Sequence, residues 1–504
     1  MRPQLYDVIV IGGGSAGCAI AARLSEDPGR QVLLLEAGPD PQPIPDSIAQ
    51  ASREARSLLE SPHIIMYPAR RKGDGSTFYK VSGRVMGGGS SVNSMAVVRP
   101  TRYDLDSWAD RGNPGWSFDE CLPLLKRLET DVDFGDSPIH GSDGPLYVKR
   151  PYLLGAPASE PVTAFIQRAV AMGLPICPDL NVPDPYGVCG SAYNIKDGIR
   201  QSTTVAYLDP ARSRPNLHIV DEATVVSLNV VGRRVEGVVY EKDGLLQKAS
   251  GDRVVVSAGT YHSPQILMLS GIGPAADLQR FGIDVVNPLP GVGENYQDHA
   301  TVSMTFEGRS DFNPDWVIPR FRLMIKSDPS LPCGNFHVFM RPPTRIEGLA
   351  PMMPVSANLV EQRSRGQLRL ISADPHELLE VDDAMLVHPD DVKAVVSAME
   401  FIRELVTDNS MEDFYGPPIH PGTDDDWGQH ARTTYGTYHH GVGTCMMGPA
   451  SDPMAVVDSN LRVHGMENLW VADASIMPTV THANTNVTAI MIGERLSDLI
   501  RDGQ

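Results

Sequence analysis

Tyr6-Asp7-Val8-Ile9-Val10-Ile11-Gly12-Gly13-Gly14-Ser15-Ala16-Gly17 is the stretch that decides the fold. Its first six residues are a short apolar, β-branched run, as expected of a central parallel strand buried on both faces. Gly12, Gly14 and Gly17 then fall in the spacing G-x-G-x-x-G. Cys18 to Leu24 is Ala-rich and helix-compatible, and Gln31-Val32-Leu33-Leu34-Leu35 predicts a second strand that ends in Glu36. In such a unit Gly12 permits the tight strand-to-helix turn. Gly14 lets backbone N–H groups approach a pyrophosphate, and Gly17 lets the helix pack on the sheet. The helix N-terminus faces the phosphate charge. Glu36, 19 residues after Gly17, is placed to accept hydrogen bonds from a ribose diol. A dinucleotide site is therefore expected at Gly12, Gly14, Ser15, Ala16, Gly17, Glu36 and Ala37. This local pattern does not separate FAD from NAD.

Around that unit the composition is ordinary. Of 504 residues, 41% are hydrophobic and 21% charged, which argues against disorder, collagen and coiled coil. The length corresponds to roughly three domain-equivalents. The net charge of −19 repels phosphate backbones, so no nucleic-acid partner is expected, and it disfavours strongly anionic substrates. The six cysteines are scattered without a C-x-x-C pair, so neither a zinc site nor a redox dithiol is expected, and no metal. No apolar run approaches the ~20 residues of a membrane span. Only Met1-Arg2-Pro3-Gln4-Leu5 precedes the first strand, so a cytoplasmic enzyme is expected.

Two further blocks are unusual. Gly83-Arg84-Val85-Met86-Gly87-Gly88-Gly89-Ser90-Ser91-Val92-Asn93 lets backbone come close to something large, with short hydrogen-bonding side chains in support. Arg253-Val254-Val255-Val256-Ser257 predicts a strand followed by Ala258-Gly259-Thr260-Tyr261-His262-Ser263-Pro264. Ser263-Pro264 reads as a helix start, with Ser at the cap and Pro in the first turn. Gly271-Ile272-Gly273-Pro274 stops that helix.

With these blocks in order, the chain resembles the glucose–methanol–choline oxidoreductase family, most closely in the manner of its choline, hydroxymethylfurfural and pyridoxine oxidase-like members. Pro290-Gly291-Val292-Gly293-Glu294-Asn295-Tyr296-Gln297-Asp298-His299 and Val471-Ala472-Asp473-Ala474-Ser475-Ile476-Met477-Pro478 resemble two more of its motifs. The similarity spans about residues 6 to 500. The resemblance implies FAD, with Arg84, Gly88, Gly89, Ser90, Asn93, Val225, Ala258, Gly259, Asp473, Ala474, Thr485 and Asn486 joining the cofactor site. Some members join a histidine of the second block to the flavin; the matching residue here is Val92, which has no nucleophile and implies non-covalent FAD.

The implied fold class is α/β: a Rossmann-like FAD-binding domain plus a substrate domain with an antiparallel sheet and flanking helices. The expected division is 1–150, 200–305 and 455–504 for FAD, and 151–199 and 306–454 for substrate. Asn335 to Met340 and Gln367 to Ile371 look like strands of the second domain. The chain is short for the family, and 310–365 looks trimmed, which would open the entrance to bulky substrates such as glycosides.

Alcohol oxidation needs a base near neutral pH, which suits histidine. Aligning Gly443-Thr444 with the family's pattern puts His440 at the base position, with His439 one residue off. Asn484 aligns with the second position, where an amide donates to or accepts from the alcohol oxygen; His482 competes for that role. Of the 14 histidines, His63, His140, His388 and His420 lie in polar, loop-like sequence and look ordinary. Val487, Ile490, Met491, Leu496, Leu499 and Ile500 predict a closing helix whose N-terminus faces the flavin. The sequon Asn486-Val487-Thr488 is discounted, because a glycan there would destroy that site. The expected reaction is oxidation of a primary alcohol or sugar-like hydroxyl, with oxygen, a quinone or a protein carrier as acceptor. A hydroxynitrile lyase, which binds FAD without net redox, is the competing class, and a non-catalytic flavoprotein is a third.

Overall fold

The strand Val8–Ile11, fully buried, lies at the centre of a five-stranded parallel sheet. Val32–Leu35 and then Leu217–Val220 lie on one side of it; Val254–Val256 and then Leu469–Val471 lie on the other. Strand order thus reverses at Val8–Ile11, and the crevice beyond the carboxyl ends of Val8–Ile11 and Val254–Val256 is where such sheets bind ligands. This is a computed structural model, and it describes residues 5–50, 61–151, 158–309, 321–344, 350–422 and 425–503. The expected first strand is split: Leu5–Tyr6 pairs with Leu245–Gly251 in a separate four-stranded sheet, which Thr224–Val231 and Arg234–Lys242 complete.

The helix Ser15–Leu24 starts at Gly14, and its Ala-rich face is buried. A Cβ on Gly17 would sit 1.9 Å from the carbonyl oxygen of Gly12, so only glycine lets helix and strand approach this closely. The closing helix Thr485–Arg501 packs on Ser15–Leu24, where Gly493 meets the backbone of Ala16.

An eight-stranded, mainly antiparallel sheet forms the other layer. Its path runs through Tyr415–His420, Ala300–Gly308, Met352–Leu359, Phe336–Met340, Phe321–Ile325, Gly187–Gly190 and Ile176–Cys177, with Gly436–Thr437 paired to Ala300–Gly308. The helix Pro389–Val406 covers it. Its buried Val392, Val395, Met399, Ile402 and Val406 recur at three- and four-residue spacing, the stripe of an amphipathic helix. The expected strand at Asn335 to Met340 forms within this sheet as Phe336–Met340. Gln367–Arg369 also forms, but it pairs with Glu380–Asp382 beside the hairpin of Ile64–Arg70 and Thr77–Gly83. The stretches 310–320 and 345–349, on which the expectation of a trimmed entrance partly rests, lie outside the described residues.

One helix start differs from the sequence reading. The helix runs Gly259–Leu269, so Ser263 and Pro264 stand inside it rather than at its cap. Pro264 cannot donate to the carbonyl of Thr260, four residues back. That carbonyl instead accepts the hydroxyl of Thr444 at 2.6 Å, so the helix continues through the proline. Ser263 donates to Asp473 at 2.5 Å and accepts from the backbone N–H of Ala258.

Candidate active site

A cavity of about 700 Å³ runs from the five-stranded sheet to the eight-stranded one. At the sheet end it is lined by Gly12, Gly14, Ser15, Ala16, Glu36, Ala37 and Val225. Arg84, Gly88, Gly89 and Asn93 line its middle, with Ala258, Gly259, Asp473 and Ala474. His440, Asn484, Thr485 and Asn486 line it next to the eight-stranded sheet. Nearly all the sequence-derived positions therefore surround one space. Two do not line it. Gly17 lies under the turn and serves packing, and Ser90 is turned away, its hydroxyl donating to the carbonyl of Gly87 and bonded to Thr203. Ser90 thus braces the glycine loop from behind, because its short side chain reaches backbone before it reaches the cavity.

The cavity suits an extended dinucleotide. The helix at Ser15 has no side-chain cap and no acid in its first turn, so its N–H groups and positive dipole end are open to an anion. Cβ positions on Gly14 and Gly89 would meet nothing within 4 Å, so both backbones border open space. Glu36 lines the cavity, but its carboxylate accepts the N–H groups of Gly13 and Gly38, each at 2.7 Å. Burial raises its pKa to about 7 despite those two bonds. Val92, the residue at the expected covalent position, also lines the cavity.

At the other end the side chains form a directed chain of hydrogen bonds. Arg322 Nη1 donates to Asn484 Oδ1 at 2.7 Å. That fixes the amide, so Asn484 Nδ2 donates to His440 Nε2 at 3.1 Å. His440 Nδ1 then carries the proton and donates to His299 Nδ1 at 2.9 Å. His299 Nε2 donates in turn to the carbonyl of Thr481 at 3.0 Å. Only one set of tautomers satisfies all four bonds, and it leaves His440 Nε2 as a lone pair beside Asn484.

The charges agree. Burial pushes His440 well below the ordinary histidine value; neighbouring His299 adds to this and Asp298 opposes it. Burial likewise lowers His299 to about 4. Asp298 sits behind both: its Oδ1 accepts the backbone N–H of His299 at 2.7 Å and of His440 at 2.9 Å. Burial would raise the Asp298 carboxyl, but Lys80, at 2.9 Å and itself fully buried, outweighs it and holds the group well below the usual carboxylate range. Thr437 also donates to this carboxylate.

The competing histidines separate clearly. His439 lines the cavity too, but it stands outside the hydrogen-bond chain of Arg322, Asn484, His440 and His299; its backbone N–H donates to the Thr437 hydroxyl. His482 is bonded through Nδ1 to Asp104 at 2.6 Å, and it is absent from the cavity wall. Burial works against its charge, yet Asp104 and Glu361 hold it well above the ordinary histidine value. His140, read as ordinary, is buried between Glu129 and Asp179, with a ring nitrogen bonded to each. With Asp131 nearby the cluster has metal-like spacing, but both nitrogens are engaged and Arg150 pairs with Asp131 and Asp179.

Sequence reading missed two site residues. His299 closes the motif Pro290 to His299, and nothing in that motif by itself gives it a role. Arg322 is a lone cation in the apolar strand Phe321–Ile325, and that isolation was the available signal. Asn486 accepts the hydroxyl of Ser15 at 2.7 Å and Thr488 is buried, so the sequon is structural.

Fold and cavity together define a dinucleotide-dependent oxidoreductase. The GMC oxidoreductase family model matches residues 6–301 with its N-terminal part and 362–493 with its C-terminal part. The chain is 34% identical to choline oxidase of Arthrobacter globiformis, over 99% of this chain and 95% of that protein. It is 33% identical to the mitochondrial choline dehydrogenase of Homo sapiens, over 98% and 90%. Pyridoxine 4-oxidase from Mesorbium loti superposes with a TM-score of 0.92 at 29% identity, covering 99% of both chains. The chain belongs to the GMC oxidoreductase family: it is an FAD-binding flavoprotein that oxidises alcohol CH–OH donors. Among the described residues no helix is long and apolar enough to cross a membrane.

Proposed function

We propose that the enzyme oxidises a CH–OH group of a small molecule to a carbonyl, with His440 as the base and Asn484 as the partner of the alcohol oxygen. The reading is carried by the directed hydrogen-bond chain, which leaves an unprotonated Nε2 beside an amide inside the cavity. The alcohol hydroxyl enters between His440 Nε2 and Asn484 Nδ2, donates its proton to the imidazole and accepts from the amide. FAD supplies the acceptor for the hydride that leaves the neighbouring carbon. Gly12, Gly14, Ser15, Arg84, Gly88 and Asn93 would hold that cofactor, together with Glu36, Thr485 and Asn486, which line the same cavity. The attachment is non-covalent, because Val92 offers no nucleophile. The partition 1–150, 200–305 and 455–504 against 151–199 and 306–454 belongs to this proposal, as does oxygen as acceptor. The six free thiols fit a cytoplasmic setting.

Anaerobic mixing of the purified holoenzyme with an alcohol and sugar panel tests this reading. An alcohol substrate bleaches the flavin, and admitting oxygen restores the colour within a turnover. His440→Ala keeps the yellow cofactor but slows bleaching by roughly 10²–10⁴-fold. Unchanged bleaching in that variant removes His440 from its role. A flavin that stays oxidised with every alcohol points to a lyase and overturns the reading.

A further inference from the structure

Among the described residues, Arg322 is the one cation within a strand of the eight-stranded sheet that lines the cavity, and it is 3% exposed. Among the described residues no carboxylate pairs with it. Nη1 holds Asn484, and its other contact is with His337 Nδ1 at 3.5 Å. Nε is buried without a partner. Nη2 has no hydrogen bond among the described residues either. The side of the fork formed by Nε and Nη2 therefore lacks an acceptor, while the charge rests over the ring of Phe339 at 5.8 Å. A buried cation without a counterion is costly, and proteins keep one where a ligand completes the pair.

The surroundings sharpen this. Among the described residues three carboxylates line the cavity: Glu36, Glu377 and Asp473. Glu36 accepts two backbone N–H groups at the five-stranded sheet, Asp473 accepts from Gly259, Ser263 and Ser475, and none of the three pairs with Arg322. Arg341, next along the chain from Phe336–Met340, adds a second positive charge to the same wall. The chain carries a net −19, but the potential at the reacting end is set by groups inside the cavity, where solvent screens least.

We propose that Arg322 is a specificity residue and that the preferred alcohol carries a carboxylate, which accepts from Nη2 of the guanidinium while its hydroxyl reaches His440. A carboxylate accepts a charge-assisted hydrogen bond from that donor and supplies the counter-charge that the buried guanidinium lacks among the described residues. An alcohol with a quaternary ammonium group meets like charge there and is disfavoured. The inference rests on the alcohol-oxidising role proposed above.

The test uses the holoenzyme and three benzyl alcohols with a para substituent: carboxylate, methyl ester and trimethylammonium. Anaerobic flavin reduction at pH 7 is expected to be at least about tenfold more efficient for the carboxylate than for the ester, the ratio typical of a charge-assisted pair. The cation is expected to be the slowest. Arg322→Gln brings the carboxylate-to-ester ratio to near one and Arg322→Lys keeps part of it; the ratio is the readout, since Arg322 also orients Asn484. Wild-type protein gives a second measurement that needs no variant: benzoate competes with the ester at least about tenfold more tightly than benzamide does. If the ester bleaches the flavin as well as the carboxylate, or benzoate and benzamide compete equally, the inference fails and the alcohol-oxidising reading stands. If none of the three alcohols, nor any in the wider panel, bleaches the flavin, that reading fails first.

Discussion

His440 shows how one side chain takes its chemistry from its neighbours. An ordinary histidine is half protonated near pH 6.5. Here burial and His299 hold the imidazole well below that value, so the imidazole stays neutral and free to act as the proposed base at neutral pH. Because the folded value is depressed, activity is lost only as pH falls through that lower value, not through 6.5. The rate of flavin bleaching is expected to stay flat from pH 8 to 6. Below the lower limb it should drop about tenfold per pH unit, and stopped-flow measurements across pH 4.5–9 check this. A limb centred at 6.5 counts against the buried-histidine account. His440 was legible in the sequence because Gly443-Thr444 fixed its register. Its tautomer was not, because that depends on Asn484, Arg322 and His299, which come from distant parts of the chain.

At the scale of elements, the helix Gly259–Leu269 is the instructive case. Local rules place its start at Ser263-Pro264, yet the helix starts at Gly259 because Thr444 replaces the donor that the proline lacks. Thr444 is fully buried. Thr444→Val should therefore leave the Thr260 carbonyl unmet and cost ~1–3 kcal/mol in urea unfolding. Adding Pro264→Ala restores an N–H four residues on, so the double variant should recover part of that loss. Equal stability of single and double variants would disprove the compensation. The closing helix offers a second case. Glu494 is buried, bonded to Arg23 at 2.9 Å, to Arg127 at 2.9 Å and to the hydroxyl of Tyr207 at 2.8 Å. It ties Thr485–Arg501 to Ser15–Leu24 and to Phe118–Arg127. Removing one partner of such a cluster leaves its buried charges uncompensated, so Glu494→Ala is expected to lower stability by about 3 kcal/mol, as read by thermal unfolding. Arg127, part-exposed, keeps the figure at the lower end of that range. A change below about 0.5 kcal/mol would show the cluster to be a solvated surface pair.

Over the whole molecule, one layer makes the nucleotide crevice and the other makes the reacting end, and the cavity joins them. Neither layer holds the site alone. His440 follows the strand Gly436–Thr437 paired to the large sheet, while Asn484 caps the helix that packs under the parallel sheet. Gly17 shows what this joint demands: its Cβ would meet the Gly12 carbonyl, so Gly17→Val should push Ser15–Leu24 off the sheet and abolish retention of FAD, measured by absorbance after gel filtration.

The sequence by itself determined the strand–turn–helix, the family and the closing helix, and through the family's pattern it pointed to His440 and Asn484 as the candidate pair, whose side chains lie 3.1 Å apart. The strand–turn–helix and the closing helix rest on short-range spacing, where neighbours in sequence are neighbours in space; the pair rests on the family resemblance. Tertiary structure alone decided that Ser90 braces rather than lines, that His482 belongs to Asp104, that His299 bonds to His440 and that Arg322 is buried against Asn484 with no carboxylate partner among the described residues. The partners in these contacts lie from 113 to 378 residues apart, so only the folded chain brings them within hydrogen-bond reach.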